Sequence, residues 1–166
     1  MTIVDALLPE FDHEMGVTRR VLERVPEDRF TWKPHPKSMS LVELSTHVAT
    51  IPSWGVATLN QPELELGGQN RNTPAASRTD LLARFDENVA ATRAALVGKT
   101  DAEMTVVWSL KTNGQKVFTM PRLAVWRSFV LNHLIHHRAQ LGVYLRLNDV
   151  PVPAMYGPSA DEAPNF

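Results

Sequence analysis

Apolar side chains recur at intervals of three and four along most of this chain, and that spacing restricts it to a helical architecture. Residues 2–24 carry Ile3, Leu7, Leu8, Phe11, Met15 and Leu22 at helical spacing. Pro26 ends the pattern, and the run WKPHPKSMS that follows is too rich in proline for a helix. Ser40 and Glu43 form an S-x-x-E capping box, which predicts a second helix running through Leu41, Leu44, His47, Val48 and Ile51 toward Trp54. Pro52 removes a backbone donor there and is expected to kink or split that helix. Residues 61–77 read as a polar loop, with two glycines and two prolines. A third helix is predicted from residue 78 or 79 to 97, burying Leu81, Leu82, Phe85, Val89 and Leu96, with Gly98 as its C-cap. Two β-rich runs, 105–110 and 116–120, then flank Asn113–Gly114, the strongest short hairpin signal. A fourth helix is predicted over about 121–147, opening near Pro121, before an irregular proline-rich tail. No repeat or linker divides the chain. The expected fold is therefore all-α: a single domain over 1–166, a four-helix bundle decorated by a small β-hairpin between helices 3 and 4.

Charge and composition narrow the function classes. The 17 basic and 18 acidic residues give a net charge of −1, so there is no electrostatic footprint for nucleic acid or an anionic membrane. No segment reaches the roughly 18 consecutive apolar residues a bilayer span requires. The N-terminal MTIVDALLPEFDHEM lacks the pattern of a secretory signal, and a soluble, cytoplasmic protein is expected. There is no cysteine. Any metal site must then use histidine and carboxylate ligands, and any thiol in the chemistry must come from another molecule.

Histidines interrupt two of the apolar stripes. Three of the six fall within NHLIHHRAQ, residues 132–140. Helical residues four apart lie about 40° apart around the axis and about 6 Å along it. His133 and His137 therefore share a face, in a stripe with Trp126, Val130, Leu141 and Tyr144. His136 is also reachable from His133 but leans toward Phe129 and Val143. His47 interrupts a stripe of Leu44, Ile51 and Trp54 on the second helix. One inward histidine is usually a hydrogen-bonded core residue. Three on two helices, in a chain without cysteine, fit a three-nitrogen metal site better, because burying imidazoles without a shared partner is costly.

Glu14 replaces an apolar residue on the line Leu7, Phe11, Thr18 and Val21. It is expected either to pair with an arginine of another helix or to act beside the metal, as a base or as an acceptor orienting a ligand. His13 and His35 read as solvated, and Tyr156 as a packing residue. Trp32, Trp54, Trp108 and Trp126 read as core, with Trp54 and Trp126 also walling a pocket.

One histidine in LVELSTHVATIPSW, an H-x3-H in LNHLIHHRAQLGVYLRL and the tail VPVPAMYGPSADE together resemble the DinB/YfiT-like family over nearly the whole chain. The resemblance implies a bundle holding a divalent ion (zinc, nickel or iron) on His47, His133 and His137, often as a homodimer. It also implies a transferase acting on a small-molecule substrate, with a low-molecular-weight thiol such as mycothiol, bacillithiol or glutathione activated by the metal. Three alternatives stand beside it: a hydrolase using metal-bound hydroxide, a non-catalytic metal-binding stress-response protein, and a plain interaction bundle.

Overall fold

The computed structural model describes residues 1–66 and 73–163. Helix α1 (Ile3–Leu22) starts where Thr2 and Asp5 cap each other's backbone N–H groups. Helix α2 (Leu41–Thr50) starts at the expected Ser40–Glu43 box, with Ser40 N donating to Glu43 at 2.7 Å. Pro52 splits the predicted second helix, and α3 (Ser53–Asn60) follows as a separate short element. Helix α4 (Arg78–Leu96) is capped by Ser77, and Gly98 follows its end with φ of +80°, the left-handed conformation that closes a helix.

Four of these elements, counting α7 (His133–Leu147), close a ring in which α1 packs on α4, α4 on α2, α2 on α7 and α7 on α1. Leu22, Leu44, Phe85, Leu134, Leu141 and Leu145 are among the side chains that fill it, each essentially inaccessible to solvent.

The expectation of an all-α bundle with exactly four helices needs correction on two counts. The chain is mostly helical but has more than four helices. A T-x-x-E box at Thr100 and Glu103 caps the short α5 (Asp101–Thr105), which ends where a strand is predicted to begin. The β component is a three-stranded sheet, not a lone hairpin. Its strands β2 (Val107–Thr112) and β3 (Gln115–Pro121) turn at Asn113 and Gly114, both at positive φ as the hairpin signal requires. Strand β1 (Glu63–Glu65), inside the stretch read as a loop, pairs parallel to β2. Three residues are too few to show a period of two. Lys111 of β2 faces Lys116 across the hairpin, and Glu63 of β1 offsets that like-charge pair with an ion pair to Lys111 at 2.6 Å.

Nor is the sheet a decoration. Trp108 and Leu110 of β2 are buried with Val125 in a second small core, joined by Phe118, Met120 and Phe129. Phe129 belongs to the predicted fourth helix, which is not uniform. It consists of α6 (Arg122–Val125), a π-helical turn (Trp126–Asn132) and α7. The wider turn changes the phase between its two ends. The buried stripe of α7 is Leu134, Arg138, Leu141 and Leu145, which shares Leu141 with the stripe read from the sequence and otherwise lies one position later. His133 and His137 lie half-buried at the edge of the core.

Candidate metal centre

His47 reaches the site from α2, and His133 and His137 from successive turns of α7. His47 Nε2 lies 3.3 Å from His133 Nε2. The His47 and His137 rings are 4.6 Å apart between centroids, as are those of His133 and His137. One nitrogen from each ring lies within 4.8 Å of the others. Two nitrogens bound at about 2.0–2.1 Å to one tetrahedral ion are themselves about 3.4 Å apart, so the closest pair already has a ligand spacing. His13 and His136 are exposed and stand outside the group, as does His35, whose Nδ1 accepts from the Lys37 backbone in the proline loop.

Burial and mutual repulsion keep this cluster neutral. Loss of solvation, followed by the neighbouring histidines, pushes His47 down to about 4. His133 is likewise pushed to about 4 by burial and then by His137, although hydrogen bonding to the backbone of Phe129 opposes the shift. His137 is lowered as well, chiefly by burial. At neutral pH the three rings thus offer lone pairs rather than charge. Neutral imidazoles at this spacing suit a divalent transition ion and leave part of its coordination sphere open.

Trp54 walls the site as expected, with ring centroids 5.7 Å from His47 and 5.1 Å from His133. Trp126 does not. It is fully buried against Phe11, 5.4 Å between centroids, on the core side of the π turn. Phe129 takes the place expected for Trp126, stacking on Trp54 at 4.5 Å and continuing the aromatic wall to Phe118. Phe129 precedes His133 by four residues, so the helical spacing itself carried a sign of it.

Two clefts open beside the site. One of about 930 Å³ is lined by His47, Trp54, Lys33, Glu43 and Leu66. The other, of about 450 Å³, is lined by His137, Gln140, Val143 and Tyr144. Lys37, Ser38 and Met39 line both, so the proline-rich loop stands between them.

Glu14 has the first of the two partners considered for it, an arginine. Arg138 Nη1 lies 2.7 Å from its carboxylate, and both side chains are buried. Arg138 also donates to the Glu14 carbonyl and to Thr18 Oγ1, each at 3.1 Å. The hydroxyl of Tyr156 donates to the Glu14 carboxylate at 2.8 Å and accepts from Arg138 Nη2 at 2.6 Å. Tyr156 is therefore more than a packing residue. The sequence does carry a signal for Arg138, a charge in phase with Leu134, Leu141 and Leu145. Nothing local marks Tyr156.

The DinB family profile matches residues 1–164. A DinB-like protein from Bacillus cereus has a similar structure, with a TM-score of 0.71 and 20% identity over 93% of this chain and 98% of its own. A DinB-like protein from Bacillus subtilis superposes with a TM-score of 0.68 and 21% identity, over 90% of this chain and 97% of its own. At these identities the likeness establishes the fold. No curated protein matches the chain.

Proposed function

The chain belongs to the DinB family, and on that premise we propose that it is a divalent-metal-dependent enzyme, a transferase that uses a low-molecular-weight thiol. The observation that carries the reading is the convergence of His47, His133 and His137 beside an open cleft. A divalent ion on three nitrogens keeps open positions and lowers the pKa of a thiol bound there. With no cysteine in the chain, that thiol is a second small molecule. His47, His133 and His137 hold the ion (zinc, nickel or iron). Trp54 and Phe129 form an apolar wall against which a small electrophilic substrate rests and which limits access of water. Glu14 acts at one remove, holding Arg138, the residue after His137, against α1. The protein acts in the cytoplasm as a homodimer.

Elemental analysis of protein purified without a metal-affinity tag tests the metal. One equivalent of a divalent transition metal per chain is expected, and none in His133→Ala; an equal metal content in both would overturn the assignment. A panel of thiols with electrophilic substrates then tests the chemistry. Metal-dependent thiol consumption above the buffer rate supports a transferase. Hydrolysis without thiol would favour metal-bound hydroxide, and no turnover of either kind would leave a metal-binding stress protein.

A further inference from the structure

Gln140 stands between two histidines of α7. It follows His136 by four residues and His137 by three, the spacings at which helical side chains meet. Its Oε1 lies 2.8 Å from His137 Nδ1, and its Nε2 lies 3.1 Å from His136 Nε2. A carboxamide oxygen only accepts and its nitrogen only donates. In this orientation His137 carries its proton on Nδ1 and keeps a lone pair on Nε2. With the amide reversed, a donor would face His137 Nδ1, the ring proton would move to Nε2, and that nitrogen would no longer bind an ion.

We propose that Gln140 is a positioning residue that holds His137 in its metal-binding tautomer. The proposal rests on the three-histidine reading above. It also supplies the outer hydrogen bond that metal-binding histidines require to set tautomer and ring angle. His133 already has such a partner in the backbone of Phe129. A neutral histidine in water carries its proton mostly on Nε2, so without Gln140 the ring of His137 spends most of its time in the wrong form.

Long-range proton–nitrogen NMR of metal-free, histidine-labelled protein reads the tautomer directly. Wild type is expected to show His137 with its proton on Nδ1. Gln140→Glu, which can only accept at this position, should keep it there, and Gln140→Ala should move it to Nε2. Zn²⁺ titration against a competing chelator at pH 7 should find binding about 10–100-fold weaker in Gln140→Ala and close to wild type in Gln140→Glu. Gln140 is exposed, so neither variant is expected to disturb folding. An unaltered His137 tautomer in Gln140→Ala, or equal losses of affinity in Ala and Glu variants, would overturn the role of Gln140. If wild type itself fails to bind Zn²⁺, the metal reading falls, while the tautomer measured in metal-free protein still decides the proposal for Gln140.

Discussion

His47 and His133 lie below their ordinary range because folding removes solvent from two rings that also face a third. Both drop from 6.5 to about 4, so between those values the unfolded chain binds more protons than the folded one. Stability from this source is complete above pH 6.5 and is lost as pH falls through 4. Metal-free protein should show a urea midpoint that decreases across this window, and His47→Gln combined with His133→Gln should flatten the decrease. Glu103, held near 2 by hydrogen bonds from Thr100, acts mostly below the window and should not obscure it. A double variant that keeps the full slope would show that other groups cause it. The Arg138–Glu14 pair is a different case, since both partners are buried. Removing the cation strands a carboxylate, so Arg138→Met should cost about 3–5 kcal/mol in urea unfolding. Tyr156→Phe removes a hydrogen bond to that charge and should cost about 1.5–3 kcal/mol. Losses of well under 1 kcal/mol in both would mean that the pair does not hold α7 to α1.

Between helices, a missing side chain matters as much as those present. Gly55 brings α3 against α4 so closely that an added Cβ would lie 2.5 Å from Thr92 Cγ2 and 3.1 Å from Trp126. Gly55→Ala must push the helices apart, and overpacking of this kind costs about 1–3 kcal/mol. Thr92 is not free to turn away, because its hydroxyl donates to the Pro52 carbonyl at 2.6 Å. Thr92→Ser keeps that hydrogen bond and deletes the clashing methyl. The double variant should therefore be more stable than Gly55→Ala alone, and a double-mutant cycle in urea reads the coupling. Strictly additive costs would place the strain elsewhere. Capping boxes, Pro52 and the Asn113–Gly114 turn were legible because their chemistry is local. The π turn was not, because a stretch of Trp126, Phe129, Val130 and Leu131 satisfies the apolar pattern of either winding.

For the molecule as a whole, the proposed ion would tie α2 to α7, two sides of the bundle ring that belong to distant parts of the chain. Stripping the metal should lower the melting temperature, and His47→Ala or His137→Ala should lose most of that response. Equal chelator sensitivity in wild type and both variants would point to some other site. Val143 and Leu147 leave apolar surface exposed one turn apart on α7, 58% and 56% accessible. Burial of that surface in the proposed homodimer should give twice the monomer mass of 18.6 kDa by light scattering. A monomer mass across a wide concentration range would exclude the dimer.

By itself the sequence determined the helical frame, the Ser40–Glu43 cap, the break at Pro52, the Asn113–Gly114 turn, and the three histidines that meet. These features depend on residues a few positions apart, or on a polar group breaking an apolar stripe, and both are visible in one dimension. It also held the two ends of the buried ion pair, Glu14 and Arg138, as charges in apolar phase, without saying that they were partners. Tertiary structure decided the rest. Trp126 was drawn into the core against Phe11, and Phe129 stacked on Trp54 at the site. A returning tail placed Tyr156 on the ion pair 142 residues from Glu14. Three residues of a polar loop became a strand because β2 offered them an unpaired edge. Each of these outcomes is a choice between local conformations of similar energy, made by contacts with residues far away in the chain.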